Sequence, residues 1–462
     1  MSEKLDSFLK KHLDEYIAET AQLCAQPSVS AKGEGTHECA NLIVDTLQRH
    51  GFRVHKFATP GNPIIVGHAD GVSRRTLLFY NHYDVQPPEP LELWTTPPFE
   101  PTIRDGALYA RGSKDDKGEF MARLMAVDAV RAQHDGKLPC GVTFVVEGEE
   151  EIGSPHIAEF VREHVELLQS HGAIWEEGGI DPEGRPEIGL GRRGVLTVEL
   201  SVESMTRDAH SGSAHVLPNA AWRLTWALAA LKHRDERIRI PGFYDHVKPP
   251  SEADLKLLDE LPDFEEWRVK TFGVKDFVRG LRGKALNRAV FEPTCNIQGI
   301  TAGYQGAGNK TVIPARASAK IDFRLVPDQS PDDIFAKLRE HLDKQGFEDV
   351  RVEWSGAMWP CKVSVDDPFV RLTARTGQEI YGHPTLLSPI GGGSSPMYAF
   401  AKPLDIPIVT CGVGYANNRT HAPDEHVRLV DFLNAARHIG RILNEFADLD
   451  DKPQAKDETN GN

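Results

Sequence analysis

The sequence predicts an α/β protein whose outer domain has a mixed, largely parallel sheet and carries an inserted α+β domain. Three observations lead to this prediction. Short apolar runs alternate with helical patterns in the first part of the chain, the pattern changes to strict two-residue alternation near residue 192, and the first pattern returns near residue 363. Strand–helix alternation favours parallel pairing, whereas period-two alternation is typical of half-exposed strands. We therefore expect residues 1–191 and 363–462 to form one discontinuous domain around an inserted domain, residues 192–362.

The first part of the outer domain begins with a predicted helix over residues 4–24, which ends before Pro27. A second helix is predicted over residues 36–49, because Gly51 follows its last apolar position. The runs PIIVGH, TLLFYNH, VTFVVEGEEE and AIWEE predict buried strands, and DDKGEFMARLMAVDAVRA predicts a helix between the second and third of them.

The inserted domain begins with the alternating strand VLTVELSVE and the helix PNAAWRLTWALAALKH. A largely helical stretch to about residue 290 precedes the strands CNIQGI, ASAKIDFRLV and VRVEWSG. Between the last two, Ser330 and Pro331 predict a helix start, with Ser330 as N-cap. Beyond residue 363, IPIVTCGVG predicts a buried strand, residues 426–447 a final helix, and the polar residues from 448 onward a disordered tail.

Composition excludes several classes of function. A net charge of −15 disfavours nucleic acid or an anionic membrane as partner. There is no apolar run of about 18 residues that would span a membrane, and the first residues lack the apolar core of a signal peptide. The six cysteines are scattered without a CxxC pair, which predicts thiols in a reducing compartment, the cytoplasm. The glycine run at 391–393 lacks the lysine of a phosphate loop.

Polar side chains follow the predicted strands of the outer domain at the point where each strand ends. His82 and Asp84 follow one strand, Glu149–Glu151 the next, and Glu176 a third. Ligand sites of open α/β sheets form at the carboxyl ends of the strands, so these groups are expected at one edge. Asp115 and Asp116 precede a helix, and His421 lies beyond the last buried strand.

Each of these groups has a structural alternative. His82 and Asp84 could be a hydrogen-bonded pair, Asp115 and Asp116 could cap the next helix, the glutamates could form a solvated turn, and a lone histidine is more often structural than a ligand. Together, however, so many carboxylates at one edge would repel each other unless cations neutralised them.

Two divalent metal ions satisfy this requirement. Histidine and carboxylate ligands favour zinc, with manganese or cobalt as alternatives, over magnesium or calcium, which prefer oxygen ligands alone. Paired metals activate water for hydrolysis, and one uncoordinated carboxylate must then take the proton of that water. The adjacent Glu150 and Glu151 suit this division into a base and a ligand.

The motifs NHYDVQP, ARGSKDDKGEF, EGEEEIGS, RDAHSG, KTVIPARASAKIDFRLVP and GGGSSP resemble the dinuclear metallopeptidase family of carnosinase, cytosolic non-specific dipeptidase, aminoacylase and glutamate carboxypeptidase. The resemblance covers nearly the whole chain and is closest to the carnosinase-like dipeptidase branch. It implies a catalytic outer domain and an inserted lid and dimerisation domain.

The resemblance also implies roles for the acidic and imidazole groups. His82 and Glu176 would bind one metal, Glu151 and His421 the other, and Asp115 would bridge both. Asp84 would orient His82, Glu150 would be the general base, and the Asp115–Asp116 peptide would be cis. The dipeptidase branch usually has aspartate at the position of Glu176, so Glu177 remains an alternative ligand.

Further roles fall in and near the inserted domain. The resemblance makes His210 the group that stabilises the oxyanion, often in the partner subunit's site, and Arg324 the group that binds the substrate's terminal carboxylate. Asn296, Gly393 and Ser394 are further substrate-binding candidates. Without the resemblance, His210 could be a surface histidine, Arg324 an exposed sheet residue and the glycine run a plain turn.

The function that follows is hydrolysis of dipeptides or short peptides with a free C-terminal carboxylate, in a homodimer formed through the inserted domain. An amidase that removes acyl groups from N-acyl amino acids would use the same metal motifs. A non-catalytic metal-binding scaffold is the third reading, but it predicts loss of the base or the oxyanion group, and both Glu150 and His210 are present.

Overall fold

The computed structural model describes residues 3–449, so most of the tail predicted to be disordered lies outside the described residues. The chain divides into two compact units. Within the described residues, the outer unit takes residues 3–191, 363–389 and 399–449, and the inserted unit takes residues 192–362 and 390–398.

Residues 390–398 belong to the inserted unit, whereas the sequence placed them in the outer domain. Three contacts explain the difference. Ile390 packs with Leu258 and Phe291, the backbone N–H of Arg193 donates to the carbonyl oxygen of Gly393 at 3.1 Å, and residue 391 forms a bridge with residue 192. The glycine-rich segment is therefore held by the inserted unit despite its place in the chain.

The helices and strands up to the start of the inserted unit are, in chain order, α1 (Glu3–Ala25), α2 (Thr36–Arg49), β1 (Arg53–Phe57), β2 (Ile64–Ala69), β3 (Thr76–His82), β4 (Thr102–Arg104), β5 (Ala107–Tyr109), α3 (Lys117–Gln133), β6 (Gly141–Glu147), α4 (Ile157–Glu163), β7 (Gly172–Trp175), β8 (Gly179–Ile180), β9 (Pro186–Gly189) and β10 (Gly191–Arg192).

The central sheet of the outer unit has the order β1-β2-β6-β3-β7 followed by a later strand, β19 (Ile408–Thr410). Its last four strands, β6, β3, β7 and β19, pair in parallel. Strand β2 pairs antiparallel with both of its neighbours, β1 and β6. The sheet is mixed and largely parallel, which confirms the predicted fold class. Strands β3 and β6 are buried almost throughout, because strands covered on both faces need apolar residues at successive positions.

The inserted unit and the last part of the chain continue with β11 (Gly194–Glu203), β12 (Ala209–His210), α5 (Ala220–Leu231), α6 (Glu252–Glu260), α7 (Glu265–Phe272), α8 (Lys284–Arg288), β13 (Thr294–Ala302), β14 (Val312–Ile313), β15 (Arg316–Leu325), α9 (Pro331–Lys344), β16 (Arg351–Met358), β17 (Cys361–Lys362), α10 (Pro368–Tyr381), β18 (Leu386–Ser388), α11 (Tyr398–Leu404), β19, β20 (Gly414–Tyr415), β21 (His426–Arg428) and α12 (Leu429–Phe446).

The inserted unit is built on an antiparallel sheet of order β13-β15-β11-β16. Strand β11 alternates buried and half-buried residues along its length, as its sequence predicted. The buried side chains of β11 and β15 pack with those of α5 and α9 in one apolar core. Because the sheet has one face against these helices, the inserted unit is α+β.

Two predicted details differ from the structure. Residues 426–428 form a short strand paired with β5, so the last helix begins at Leu429 and not at residue 426. Ser330 occupies the N-cap position of α9, but its side chain makes no capping hydrogen bond. Over residues 3–449, none of the helices is both long and apolar enough to cross a membrane.

Candidate metal centre

The carboxyl ends of β3 and β7 place His82 and Glu176 side by side. Both side chains are almost fully buried, and Nε2 of His82 lies 3.6 Å from Oε2 of Glu176. Nδ1 of His82 lies 2.9 Å from the carbonyl oxygen of Asp84. A carbonyl only accepts, so Nδ1 carries the proton of the neutral ring and Nε2 is left as the potential metal-binding atom.

Asp115 joins this pair to a second group. One oxygen of its carboxylate, Oδ1, lies 3.1 Å from Nε2 of His82, and the other, Oδ2, lies 3.0 Å from Nε2 of His421. His421 is also 3.3 Å from Oε2 of Glu151. The two imidazoles therefore face opposite oxygens of one carboxylate, which is the arrangement expected for a carboxylate that bridges two ions.

Within residues 3–449, two groups of three side chains offer ligand atoms within 4.8 Å of one another: His82, Asp116 and Glu176, and Asp115, Glu151 and His421. The sequence did not predict Asp116 as a ligand. Its Oδ2 accepts hydrogen bonds from Nδ2 of Asn81 at 2.6 Å and from the backbone N–H of His82 at 3.1 Å. These contacts attach Asp116 to β3, whereas Asp115 lies within 3.1 Å of both histidine rings, so Asp115 remains the predicted bridge.

The loop at residues 115 and 116 does not act as a helix cap. Asp116 stands at the N-cap position of α3 without a side-chain capping bond. The Asp115–Asp116 peptide bond is cis, as the resemblance implied. The structure thus removes the capping alternative for Asp116.

Asp84 makes further contacts besides the predicted one with His82. Its Oδ1 is 3.4 Å from Nδ1 of His82, farther than its own carbonyl oxygen. The carboxylate also accepts the backbone N–H groups of Glu150 at 3.2 Å and Glu151 at 3.1 Å. Asp84 is fully buried, and it fixes the turn that presents both glutamates as well as lying beside the histidine.

Gln86 is a further residue that sequence analysis did not identify. Its backbone N–H donates to Oε1 of Glu151 at 3.1 Å and its Nε2 donates to Oε2 at 2.7 Å. Gln86 thereby orients the carboxylate of Glu151. Gln86 lies in the NHYDVQP motif, which marks it as a residue near the candidate site, but no pattern in the sequence links that motif to Glu151.

Glu176 and its neighbour Glu177 have opposite environments. Glu176 is buried, accepts from Nε1 of Trp175 at 3.1 Å and faces His82, whereas Glu177 is exposed with a φ of 69°. Burial, followed by the nearby charge of Glu150, raises the pKa of Glu176 well above its ordinary value. Glu176 is therefore the better placed of the two to bind a metal.

The charges at this edge are strongly coupled. Burial opposes ionisation of Asp115, but when no metal is bound the Lys114 ammonium and hydrogen bonds from the protonated rings of His421 and His82 hold its pKa well below the ordinary value. Hydrogen bonds to Asp115 and Glu151 raise the pKa of His421 to about 10. Burial, with the charges of Glu151 and Asp115, raises the pKa of Glu150 to about 7 when no metal is bound.

The buried oxygens of the cluster fit a divalent cation. Oδ1 of Asp116 and Oε2 of Glu176 have no hydrogen-bond partner among the described residues. Buried acceptors without donors cost about 1–3 kcal/mol each, and more when charged. A cation held by carboxylates and neutral imidazoles would satisfy them, and the mixed oxygen and nitrogen donors suit zinc, manganese or cobalt.

Arg123 connects the ends of β3 and β7, where His82 and Glu176 lie. This buried guanidinium on α3 donates to the carbonyl oxygens of Tyr80 and Trp175, each at 2.6 Å, and to Oδ1 of Asn81 at 3.0 Å. Tyr80 and Trp175 are close neighbours of His82 and Glu176 in sequence. Arg123 thus fixes the two strand ends against each other.

In the inserted unit, Arg324 lies among the other predicted substrate-binding residues. Its Nη1 donates to Oγ of Ser394 at 2.8 Å, and its Nε lies 3.7 Å from Oδ1 of Asp322. The other oxygen of Asp322 accepts from Nδ2 of Asn296 at 2.9 Å. Gly393 belongs to the same neighbourhood through its bond with the backbone of Arg193.

His210 stands apart from this group, at the end of β12. It is exposed, its Nδ1 accepts from the backbone N–H of Gly212 at 3.0 Å, and its Nε2 lies 3.3 Å from Oγ1 of Thr311. Because Nδ1 accepts a hydrogen bond, the proton of the neutral ring is on Nε2, which is then a donor at the surface of this unit.

Comparison with known proteins gives consistent matches. The model of Peptidase family M20/M25/M40 matches residues 78–445. The chain is 26% identical to Beta-Ala-His dipeptidase of Homo sapiens, over 97% of this chain and 93% of that protein. Among solved structures, an M20 family metallo-carboxypeptidase from Sulfolobus solfataricus is 34% identical with a TM-score of 0.86 and covers 97% of this chain and 100% of its own. Human carnosine dipeptidase 1 is 26% identical with a TM-score of 0.76, over 97% and 100% of the two chains.

Proposed function

Because the chain belongs to Peptidase family M20/M25/M40, a family of metallopeptidases, we propose that it is a two-metal peptidase that cleaves dipeptides or short peptides with a free C-terminal carboxylate. The family membership confirms the resemblance found in the sequence and the assignment as an enzyme. The observation that carries the proposal is Asp115, whose two oxygens face His82 and His421. Relatives named as a dipeptidase and a metallo-carboxypeptidase support the substrate class.

In this proposal two metal ions are held by the two groups that Asp115 joins. His82 and Glu176 would bind one ion, Glu151 and His421 the other, with zinc preferred and manganese or cobalt as alternatives. When bound, the metals supply Lewis acidity toward the scissile carbonyl and lower the pKa of water. Asp84 and Gln86 orient this set by holding the turn of Glu150 and the carboxylate of Glu151.

Glu150 is the proposed general base. It sits beside the ligands on the turn that Asp84 holds, and its raised pKa allows it to take a proton from the attacking water and to return it to the leaving amine. His210 is proposed to donate from Nε2 to the oxyanion. A non-catalytic scaffold would need neither group, which leaves that reading without support.

Arg324 is the proposed binding group for the terminal carboxylate of the substrate. A guanidinium binds a carboxylate through two parallel hydrogen bonds. The role is supported by the contacts of its side chain among the described residues, which are with the hydroxyl of Ser394 and, at 3.7 Å, with the carboxylate of Asp322, so the guanidinium retains donors for a ligand. Asn296 and Gly393 are proposed to line the same region.

The second candidate is an N-acyl amino acid amidase, because such substrates also carry a terminal carboxylate. The deciding experiment compares zinc- and manganese-reconstituted enzyme on Gly-Leu, Gly-Leu-amide and N-acetyl-leucine. The proposal expects fast cleavage of Gly-Leu and slow cleavage of the other two. Faster release of acetate from N-acetyl-leucine would favour the amidase, and equal rates on Gly-Leu and its amide would remove the requirement for a free carboxylate.

We also propose a cytoplasmic homodimer formed through the inserted unit. Two exposed apolar features support this proposal: the stacked rings of Trp222 and Trp226 on α5, and Ile297 and Ile300 on the edge strand β13. The six cysteines are unpaired, as expected in a reducing compartment. Sedimentation of the purified protein tests the dimer, and a stable, active monomer would contradict it.

A further inference from the structure

A buried carboxylate outside the ligand groups connects the segment of His421 to the loop of Asp115. Glu425 lies four residues after His421 and is fully buried. Its Oε1 accepts the backbone N–H groups of Lys114 and Asp115, each at 3.0 Å. Its Oε2 accepts Nη1 of Arg111 at 2.5 Å and the backbone N–H of Gly112 at 3.2 Å.

These four donors all come from one irregular loop, residues 111–115. The backbone N–H groups of Gly112, Lys114 and Asp115 precede α3 and lie outside the ladders of the sheets. Buried N–H groups need acceptors, and Glu425 provides acceptors for all three at once. Among the described residues, these three N–H groups have no hydrogen bond to any acceptor other than this carboxylate.

The link is reinforced by the backbone of the same segment. The carbonyl oxygen of Glu425 accepts from the N–H of Ala110 at 3.1 Å, and β21 pairs with β5 immediately beside it. The segment that follows His421 is therefore attached to the segment that precedes Asp115 by both main-chain and side-chain bonds. A shift of one would move the other.

Glu425 is not itself placed to bind a metal. A carboxylate offers about four acceptor positions, and the four hydrogen bonds occupy them. The guanidinium of Arg111, also buried, compensates its charge. Its effect on a metal can act only through the residues that it holds.

We propose that Glu425 is a positioning residue that sets the carboxylate of Asp115 relative to the imidazole of His421, so that both can bind the same ion. This inference rests on the proposed two-metal function. It assigns a role to a residue that neither donates a ligand atom nor contacts the ligand side chains directly. Partners that orient metal ligands typically contribute 10–100-fold to metal affinity.

The neighbouring residue offers a matched control. Asp424 lies in the same loop, is also largely buried, and makes no hydrogen bond or ion pair with residues 111–115. Its carboxylate accepts from the N–H and Oγ1 of Thr95 and pairs with Arg104 and, at 3.6 Å, with Arg419. Asp424→Asn and Glu425→Gln each remove one charge from this loop. Only Glu425→Gln disturbs Asp115, because an amide group presents a donor where the carboxylate accepted backbone N–H groups.

The experiment titrates Zn²⁺ into metal-free wild type, Glu425→Gln and Asp424→Asn in competition with a chromophoric chelator, with thermal unfolding of each metal-free protein measured in parallel. We expect Glu425→Gln to bind the more weakly held of its two zinc ions about 10–100-fold more weakly than the wild type does. Asp424→Asn should bind zinc much as the wild type does, since the carboxylate of Asp424 accepts no hydrogen bond from the loop that carries Asp115.

Each other outcome is decisive. Wild-type affinity in Glu425→Gln, or equal weakening in both variants, would overturn the positioning role. A wild type that binds fewer than two zinc ions would instead contradict the proposed function. If Glu425→Gln does not fold, Glu425→Asp replaces it, because it keeps the charge opposite Arg111 but withdraws the carboxylate from the loop. Failure of both variants to fold would make Glu425 a folding residue and would also overturn the proposal.

Discussion

Asp115 and His421 meet through Oδ2 and Nε2 at 3.0 Å, while the other oxygen of the same carboxylate faces His82 at 3.1 Å. A single carboxylate thus connects two otherwise separate groups of ligand atoms. The side chain of Asp115 is 13% exposed and that of His421 is 50% exposed, so the second group is the one open to solvent.

Asp115→Asn should abolish the paired binding of metal. An amide has one acceptor oxygen and one donor group, so it cannot present an oxygen to both ligand groups. We expect a loss of activity larger than the 10–100-fold that is typical of an outer partner. Metal analysis after dialysis should find fewer ions per chain than in wild type. Asp105→Asn, an exposed change at a turn, is the control, and a fully loaded Asp115→Asn enzyme would contradict the bridging role.

Glu150→Gln should lower turnover and leave the metals bound. A glutamine cannot take the proton of the attacking water, and removal of a general base typically costs about 10²–10⁴-fold in kcat. The adjacent Glu149→Gln is a matched control, because Glu149 is buried and bonded to His156 at 2.6 Å. Wild-type turnover in Glu150→Gln with metals bound would exclude Glu150 as the base.

Arg324→Met should weaken cleavage of substrates with a free C-terminal carboxylate. A hydrogen bond to a charged group contributes about 1.5–3 kcal/mol, so kcat/KM should fall by roughly 10–150-fold. The variant should lose little on a dipeptide amide, which lacks the charge. Arg316→Met is the control on the same strand, since that exposed arginine pairs only with Glu203 at the surface. Equal losses on acid and amide substrates would refute carboxylate binding.

The fold and the positions of the candidate ligands followed from local patterns. Buried parallel strands read as continuous apolar runs, so TLLFYN and AIW identified β3 and β7 and their polar successors His82 and Glu176. Because such strands end at one sheet edge, the sequence also predicted that these side chains would come together. The alternation of β11 likewise marked the inserted unit.

The residues that hold the ligands could not be predicted in this way. Glu425 and Asp115 are 310 positions apart, and their contact depends on how two loops meet. Gln86 holds Glu151 across 65 positions for the same reason. The sequence predicts a helix from residue 426, whereas residues 426–428 form a strand, because their pairing with β5 is not visible in a local pattern. Long-range partners of this kind leave no periodic signal in a single sequence.

The stability of the outer unit should depend on pH through His438, a buried residue of α12. Its Nε2 donates to the carbonyl oxygen of Thr373 at 2.9 Å, and its Nδ1 lies 3.1 Å from Sγ of Cys411. Burial lowers the pKa of His438 to about 4, from 6.5 for an ordinary histidine. Between these two values the unfolded chain binds the proton and the folded chain does not, so the folded state loses stability as pH falls from 6.5 toward 4.

His438→Gln should reduce this dependence, because glutamine retains a donor for Thr373 but does not titrate. From pH 7 to pH 4.5, wild type should lose about 2–3 kcal/mol more than the variant, given about 1.4 kcal/mol per pKa unit. Urea unfolding of the metal-free proteins at several pH values measures the difference and keeps metal release out of the comparison. His233→Gln, an exposed histidine, should follow wild type. Parallel curves for wild type and His438→Gln would show that His438 does not resist protonation in the folded protein.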